Sequence, residues 1–358
     1  MDKLKEKKKV AVGLSGGVDS SVSAYLLKEA GHDVVGVYMK CWNAQEDGCV
    51  SDKDKNDAIK ICAALNIPFK SLDFVKDYRE KVIEYFYNAY ESGLTPNPDV
   101  MCNREIKFGL FLDWAMGKGF DYVATGHYAR ISKGLEVESG LGKFQLLKGA
   151  DVSKDQSYFL YVLEQEQLGK VLFPVGDMLK EEVRGLARKV GFHNFDKPDS
   201  VGICFIGDID VRELLEERFG EKKGAVLSVE GEVIGEHDGV WFYTIGQRHG
   251  FRVSKYFGMP LYIVDKNADR NELVVGFTKD VLCNEFGVGS VHWIGDVPKF
   301  PLKCDVRVRH LGKLHPATVV FGENGLKVLV DEAIFGVAPG QSAVFYDGDV
   351  VLGGGIIF

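Results

Sequence analysis

Short runs of apolar, β-favouring residues alternate with helical patterns through the first half of the chain. In the second helical stretch, for example, Ile61, Ala64 and Leu65 fall on one face. Strands that alternate with helices in this way predict a doubly wound parallel sheet with right-handed crossovers. The predicted strands are 10–14, 33–39, 69–74 and 122–125, and the predicted helices are 19–30, 54–65, 78–90 and 104–116.

The second half of the chain has a different pattern, which begins near residue 208. Short β-rich runs follow one another with glycines between them, which predicts antiparallel sheets or small barrels. We therefore predict an α/β fold with an N-terminal doubly wound parallel sheet (1–207), a small β-rich central domain (208–287) and a C-terminal β-barrel (288–358). The predicted strands are 226–229, 232–234, 241–245, 261–264, 273–275, 305–308, 317–321, 327–330, 343–345 and 350–352.

Composition narrows the classes of protein. The 358 residues are 46% hydrophobic and 27% charged, which excludes disorder as the main state. A net charge of −8 argues against a globally basic nucleic-acid binder. No apolar run approaches the roughly 18 residues of a membrane span, and the Lys-rich N-terminus, which carries Asp2 and Glu6, resembles neither a signal nor a transit peptide. We expect a cytoplasmic protein with no membrane partner.

A glycine-rich loop follows the first predicted strand and opens the first predicted helix. Residues 14–21 read Leu-Ser-Gly-Gly-Val-Asp-Ser-Ser. Glycines bring backbone N–H groups close to a ligand, and a helix N-terminus favours an anion. The Gly-Lys-Ser/Thr ending of a Walker A loop is absent, so P-loop phosphoryl transfer is disfavoured. The loop resembles that of ATP pyrophosphatases, which transfer AMP; the alternative is a glycine turn capped by Asp19 or Ser20.

Two of the seven cysteines are candidates for thiolate chemistry. Cys102 follows a Pro-rich segment and precedes the predicted helix at 104–116, so the helix dipole, with Arg104 and Lys107, would stabilise its thiolate. Asp99 is a candidate general acid or base. Cys204 lies in a short apolar loop, and a buried structural role is the alternative for both cysteines. We assign Cys62, Cys283 and Cys304 to packing, and the Cys41 and Cys49 spacing matches no metal site.

Six longer motifs occur in a fixed order along the chain. They are Ser-Gly-Gly-Val-Asp-Ser at 15–20, Thr-Pro-Asn-Pro-Asp-x-x-Cys-Asn at 95–103, Ala-Thr-Gly-His-Tyr-Ala-Arg at 124–130, Lys-Asp-Gln-Ser-Tyr-Phe-Leu at 154–160, Gly-Ile-Cys-Phe-Ile-Gly at 202–207 and Tyr-Thr-Ile-Gly-Gln-Arg at 243–248. Together they resemble the tRNA-specific 2-thiouridylase (MnmA/TrmU) family, and the resemblance covers essentially the whole chain.

This resemblance implies a PP-loop enzyme that thiolates the wobble uridine of tRNA. The base, flipped from its stack, would be adenylated at O2, with release of pyrophosphate, and then receive sulfur from a persulfide on Cys204, with release of AMP. Cys102 would be a nucleophile that either forms a disulfide with Cys204 or helps to generate hydrosulfide, and Asp99 would assist proton transfer. Both routes stay open, and both need a mobile loop around Cys204. ATP, accompanied by Mg²⁺, would bind Gly13, Leu14, Ser15, Gly16, Gly17, Val18, Asp19, Ser20, Met39 and Gly126.

The resemblance also implies two partners, a tRNA with a wobble uridine and a sulfur-donor protein of the cysteine desulfurase or sulfur-relay class. Residues 299–322 carry five Lys or Arg and one Asp, which fits phosphate contacts, although an ordinary solvated strand face is the alternative. The expected contacts with the base or the rest of the tRNA are Asn97, Pro98, Asp99, His127, Lys154, Asp155, Gln156, Arg309, His310 and Gln341.

The chain departs from the family pattern at three places. It has His310 after Arg309 where the family has Tyr, Val201 where it has Thr, and an unusual stretch at 249–260.

Two other classes of function remain open. Another adenylating enzyme, such as an amidotransferase or an argininosuccinate-type synthetase, would keep its activity after loss of Cys102 and Cys204. An RNA-binding module with a relic nucleotide site would bind tRNA without releasing pyrophosphate. An iron–sulfur cluster on Asp99, Cys102 and Cys204 is a further alternative.

Overall fold

We describe the protein from a computed structural model, which covers residues 6–42, 50–133, 144–199, 202–206, 210–254 and 258–358. Cys49, Val201 and the predicted domain boundary at 207–208 lie outside the described residues.

The first half of the chain alternates strands and helices, as predicted. Two of its helical segments continue through π-helical turns, at Arg79–Ile83 and Asn103–Leu110. The elements in chain order are β1 (Lys9–Gly13), α1 (Val18–Glu29), β2 (Asp33–Lys40), α2 (Val50–Ala64), β3 (Phe69–Asp73), α3 (Val75–Tyr78), α4 (Glu84–Glu91), α5 (Pro98–Cys102), α6 (Phe111–Gly117), β4 (Tyr122–Ala124), β5 (Ala129–Lys133), β6 (Phe144–Lys148), α7 (Gln165–Leu168), β7 (Val171–Leu172) and α8 (Lys180–Val190).

Five of these strands form a parallel sheet in the order β3-β2-β1-β4-β7, which confirms the predicted class of fold. Both faces of the sheet are buried: Val10 and Val12 of β1 pack into one hydrophobic cluster, with residues of α1, α2 and α8, whereas Ala11 packs into another. A strand buried on both faces reads as a continuous apolar run, which is the pattern that the sequence shows here.

The strand order reverses at β1. The chain proceeds from β1 to β2 and β3 on one side and then returns to place β4 on the other side of β1. The loops that follow β1 and β4 therefore separate at the carboxyl edge of the sheet and leave a crevice between them, where ligands of such folds bind.

The central region contains a second, mixed sheet in the order β10-β9-β8-β12-β11. The strand predicted at 241–245 is wrong: Val240–Phe242 form a 3₁₀ turn. The backbone N–H of Val240 donates to the Asn271 side chain and that of Phe242 to the Gly239 carbonyl, so tertiary contacts override the β-favouring residues. The elements are α9 (Val211–Phe219), β8 (Gly224–Ser228), β9 (Val233–His237), β10 (Arg252–Val253), β11 (Tyr262–Asn267), β12 (Glu272–Gly276) and α10 (Thr278–Val281).

The C-terminal strands form a closed antiparallel barrel, as predicted. They follow the order β13-β16-β15-β14-β17-β18, and pairing of β13 with β18 closes the ring. The pair β5–β6 from the first half joins this sheet through β18, so the barrel is tied to the parallel-sheet region. The strands are β13 (Leu282–Trp293), β14 (Leu302–Arg307), β15 (His315–Gly322), β16 (Gly325–Phe335), β17 (Ser342–Asp347) and β18 (Val350–Ile357).

The predicted boundary at 287 falls inside β13, and the domain ranges stay predictions. Within the described part of the chain, every helix is too short or too polar to cross a membrane.

Candidate active site

A cavity of about 710 Å³ lies at the carboxyl edge of the parallel sheet, in the crevice between the loops after β1 and β4. It has two chemically different ends. One end, the phosphate end, is formed by the glycine-rich loop and nearby charged side chains, among them Asp19, Lys180 and Asp199. The other, the thiol end, contains Cys204, Lys107 and Asp99. The cavity is large enough for a small-molecule or nucleotide ligand.

The glycine-rich loop is shaped by its glycines and by Ser20. Gly16 has φ +75°, and a Cβ there would lie 2.6 Å from the Asp54 carbonyl oxygen. The Ser20 hydroxyl donates to the Gly17 carbonyl at 3.1 Å and accepts from the Ser15 N–H at 3.3 Å. Gly17 is the N-cap of α1 and no side chain caps it, so the positive end of that helix faces the cavity.

Gly126, two residues after the end of β4, packs directly on this loop. A Cβ at this position would lie 2.7 Å from the Ser20 backbone nitrogen, so a larger residue would displace the start of α1. The sequence-predicted nucleotide residues that line the cavity are Gly13, Ser15, Gly17, Val18, Asp19, Ser20, Met39 and Gly126, whereas Leu14 and Gly16 do not line it.

A network of lysines and carboxylates surrounds the phosphate end. The Lys180 ammonium lies 2.7 and 2.8 Å from the two carboxylate oxygens of Asp19 and 2.8 Å from Asp199. Lys154 and Arg184 each donate to Asp199 at 2.7 Å. Burial raises the pKa of Asp199, but the bonds from Lys154 and Lys180 outweigh it and hold that pKa well below its usual range. Asp199 is therefore ionised and fixed.

Sequence reasoning missed Lys180, and also Lys197, which donates to the Gly16 carbonyl at 3.2 Å. Lys180 is 161 residues from Asp19 along the chain, and no local spacing signals the contact.

The position of Cys102 differs from the prediction. We predicted that it precedes a helix, but the helix begins at Pro98, so Cys102 is the last residue of α5 and is 0% exposed. Asn97 caps α5 by accepting from the Val100 N–H, and proline suits the first helical position. The N-terminal dipole therefore acts on Asp99, in the first turn, more than on Cys102.

The structure brings Cys102 and Cys204 together, although they are distant in sequence. Interaction with the Cys102 thiol lowers the pKa of Cys204 to about 7 against the opposing effect of burial, with the Lys107 ammonium contributing. Burial and the Cys204 sulfur raise the pKa of Cys102 well above its ordinary value. Cys204 is therefore the thiolate of the pair and Cys102 its proton-carrying partner.

The segment that carries Cys204 is held at several points. Its backbone N–H donates to the Asp99 carboxylate at 3.0 Å, and its carbonyl accepts from the Tyr78 hydroxyl. The next residue, Phe205, has φ +67° and packs edge-on against the Tyr78 ring. Burial raises the pKa of Asp99, while the bond from Cys204 and the Lys107 charge oppose that rise.

Lys107 also contacts His127, the residue after Gly126. Lys107 Nζ donates to His127 Nε2 at 3.3 Å, and His127 Nδ1 lies 2.7 Å from the Thr125 hydroxyl. Burial and the Lys107 charge lower the pKa of His127 well below 6.5, so the ring is neutral. An ammonium can only donate, which assigns the imidazole proton to Nδ1.

The residues predicted to contact tRNA do not lie in one place: some line the cavity, some are buried in the interior, and Arg309 is exposed at the surface. Asp155 is 1% exposed and accepts from Arg307 at 2.7 Å, and Gln341 donates to the Thr95 and Pro96 carbonyls, next to α5. The aromatic Phe159, which sequence reasoning missed, lies against the His310 ring at 4.3 Å between centroids. Those that line the cavity are Asp99, His127, Lys154, Gln156 and His310; Asn97, Pro98, Asp155, Arg309 and Gln341 do not.

Among the residues that the structure describes, no group of three or more His, Cys, Asp or Glu side chains could hold a metal ion. The iron–sulfur cluster on Asp99, Cys102 and Cys204 stays a prediction that the structure does not test.

Three family models match the chain in order. They are the tRNA methyl transferase HUP domain (residues 8–208), the tRNA methyl transferase PRC-barrel domain (212–277) and the aminomethyltransferase beta-barrel domain (283–357).

Curated relatives match over the full length. The chain is 44% identical to the tRNA-specific 2-thiouridylase MnmA of Bacillus cytotoxicus over 364 residues, which cover 100% of this chain and 96% of the relative. It is likewise 44% identical to MnmA 2 of Geobacillus kaustophilus, with the same coverage. Among solved structures it resembles the U34-tRNA thiolase NcsA from Methanococcus maripaludis with its [4Fe-4S] cluster, at 22% identity and a TM-score of 0.36 over 61% of this chain and 67% of that one.

Proposed function

The chain belongs to the family of tRNA-specific 2-thiouridylases named MnmA, and we propose that it thiolates the wobble uridine of tRNA in two steps within one cavity. In the first step ATP adenylates O2 of the base. In the second, sulfur from a persulfide on Cys204 replaces that oxygen. The observation that carries the proposal is that an anion-binding loop and a thiol of lowered pKa line the same cavity.

The phosphate end supports the adenylation step. Uridine O2 attacks the α-phosphorus of ATP, the bond from that phosphorus to the β-bridging oxygen breaks, and pyrophosphate leaves with the electron pair. The proton on uridine N3 passes to the Asp99 carboxylate, whose burial makes it a better base than an exposed carboxylate. The N–H groups of the glycine-rich loop and the N-terminus of α1 would bind the phosphates, and Mg²⁺ would accompany them.

The thiol end supports the sulfur-transfer step. The terminal sulfur of the Cys204 persulfide attacks C2 of the base, and AMP leaves with the electrons of the C2–O2 bond. Cys102 releases its proton to solvent and attacks the Cys204 sulfur, which breaks the persulfide S–S bond. The 2-thiouridine of the tRNA is thereby released from Cys204 and recovers its N3 proton from Asp99. A Cys102–Cys204 disulfide remains, and an external dithiol must reduce it before the next cycle.

A second route leads to the same disulfide. Cys102 attacks the Cys204 sulfur first and releases hydrosulfide, which then attacks C2. The contact between the two cysteines supports both routes, since each requires Cys102 to reach the Cys204 sulfur. The routes differ in one measurable respect: only the second releases hydrosulfide that a thiol-reactive or zinc trap would intercept.

The remaining predictions concern the tRNA contacts, the sulfur donor, the compartment and the domain boundaries. His127, Lys154, Gln156 and His310 line the cavity and are proposed to contact tRNA around the flipped base. A cysteine desulfurase or sulfur-relay protein is proposed as the sulfur donor, and the cytoplasm as the place of action. We also propose that the chain divides into domains near residues 207 and 287.

The test is thiouridine formation from purified components. Protein, ATP, Mg²⁺, a persulfide source and unmodified tRNA are incubated, and nucleosides are analysed after digestion. We expect 2-thiouridine with wild-type protein, none with Cys204→Ser, and an unaltered yield with the matched control Cys283→Ser on the barrel. No thiouridine from any variant, with pyrophosphate released to another acceptor, would contradict the assignment to tRNA.

A further inference from the structure

Lys180 occupies a position that no sequence motif indicated. It is the first residue of α8, and its side chain is 11% exposed and lines the cavity. Its ammonium bonds to both oxygens of Asp19 and to Asp199, so it lies between the start of α1 and the segment that leads to Cys204. The Lys180 ammonium therefore lies where it can contact an anion that binds to the glycine-rich loop.

The other lysines that line the cavity make different contacts. The Lys197 ammonium donates to Asp54 at 2.7 Å, Asp57 at 2.9 Å and the Gly16 carbonyl at 3.2 Å, so it joins the backbone of the loop to α2. Lys107 lies at the thiol end, and Lys154 contacts Asp199 but is 39% exposed. Among the lysines that line the described cavity, Lys180 alone contacts a side chain of the glycine-rich loop.

The two carboxylates at the phosphate end need a cation beside them if a triphosphate is to bind there. Asp19 and Asp199 both present carboxylates to the cavity, and a triphosphate entering the loop would meet two like charges at short range. Lys180 bonds to both carboxylates, and Lys154 and Arg184 also donate to Asp199. Phosphate oxygens are acceptors that compete with carboxylates for the same ammonium protons.

We propose that Lys180 is a catalytic residue of the adenylation step, which contacts the β- and γ-phosphates of ATP and stabilises the leaving pyrophosphate. This proposal rests on the proposed function. As the bond between the α-phosphorus and the β-bridging oxygen breaks, negative charge grows on pyrophosphate, and the Lys180 ammonium faces that charge without gaining or losing a proton. Tyr128, whose hydroxyl donates to Asp19 at 2.8 Å, holds the carboxylate in place as Lys180 turns toward the phosphates.

The alternative is a structural link, in which Lys180 only neutralises Asp199 and joins α8 to α1. Three variants separate the two: Lys180→Met, Asp199→Asn and the double variant. The matched control is Lys189→Met, because Lys189 lies on the same helix and is exposed. Each is measured for ATP affinity by calorimetry, for pyrophosphate release with tRNA in a single turnover and for thermal unfolding.

We expect Lys180→Met to slow pyrophosphate release by about 10²-fold and to weaken ATP binding by about tenfold. The double variant should stay as slow as Lys180→Met, because removing Asp199 does not replace the missing contact with phosphate. A double variant restored to the rate of Asp199→Asn alone would overturn the proposal, and so would normal ATP binding and release in a folded Lys180→Met protein.

The wild-type measurement keeps this proposal separate from the proposed function. If the wild-type protein releases no pyrophosphate with tRNA, the adenylation of uridine fails. The ATP affinities still decide whether Lys180 contacts the phosphates, since that comparison needs no tRNA.

Discussion

The two ends of the cavity balance their charges in different ways. At the phosphate end, cations and carboxylates are matched four to four: Lys154, Lys180, Arg184 and Lys197 bond to Asp19, Asp54, Asp57 and Asp199. At the thiol end, a single ammonium, that of Lys107, serves Asp99 and both cysteines. Burial alone would lower the pKa of Lys107, but these neighbours raise it, so it stays charged.

This difference predicts different sensitivities. Where charges are matched, a substitution changes how well an anion binds but leaves the remaining groups ionised. Where one cation serves several acidic groups, a substitution changes which of those groups carries the negative charge. The phosphate end should therefore respond in ATP affinity and pyrophosphate release, and the thiol end in the pKa and reactivity of Cys204.

The largest effect should come from Cys204→Ser. A serine hydroxyl cannot carry a persulfide, so thiouridine formation should fall by roughly 10³-fold or more. Pyrophosphate release in a single turnover should continue, because no group of the phosphate end has changed. A parallel loss of both activities would show that the two ends do not act separately.

Lys107→Met should have the next largest effect. Removing the ammonium should move the pKa of Cys204 from about 7 toward its ordinary value of 9.0 and slow thiouridine formation at pH 7 by roughly 10- to 100-fold. ATP affinity should stay within about twofold of wild type, as should both properties in the control Lys118→Met, at an exposed position. An unchanged Cys204 pKa would show that Lys107 does not stabilise the Cys204 thiolate.

The pH dependence of Cys204 alkylation tests whether Cys204 is the thiolate of the pair. The thiolate is the reactive form, so alkylation should rise with pH, reach half its maximum near pH 7 and fall about tenfold for each pH unit below that. Cys102→Ala removes the interaction that contributes most to the lowered pKa of Cys204, so its midpoint should lie at higher pH. A midpoint near 9 in the wild-type protein would contradict the assignment of Cys204 as the thiolate.

The smallest effect concerns the support of the thiol end by the barrel. Gln341 bonds to the Thr95 and Pro96 carbonyls just before α5. Gln341→Ala should speed amide hydrogen exchange in residues 97–103 by about five- to tenfold, which corresponds to about 1 kcal/mol. Exchange in α1 should not change, and equal acceleration in both segments would indicate general destabilisation instead.

The sequence predicts the phosphate end and the thiol end to different extents. The glycine-rich loop is continuous in sequence, and its position after β1 follows from the alternation of strands and helices. The cations around it, Lys180 and Lys197, come from segments that reach the loop only through tertiary folding, so no local pattern indicates them.

At the thiol end, the pairing of Cys102 with Cys204 was accessible only through family motifs. The start of α5 was predictable in principle, because Asn97 followed by Pro98 is a helix-start pattern. The error at 241–245 has the opposite cause, since the residues there favour a strand and contacts from Asn271 impose a turn.

The most direct test of whether two separable ends act in sequence measures pyrophosphate and 2-thiouridine in the same single-turnover reaction. Wild type, Cys204→Ser and Lys180→Met are compared with tRNA and ATP. We predict that Cys204→Ser releases pyrophosphate without forming thiouridine, and that Lys180→Met is slowed to the same degree in both products. If pyrophosphate release also disappears in Cys204→Ser, the division of the cavity into an adenylating end and a sulfur-transferring end is wrong.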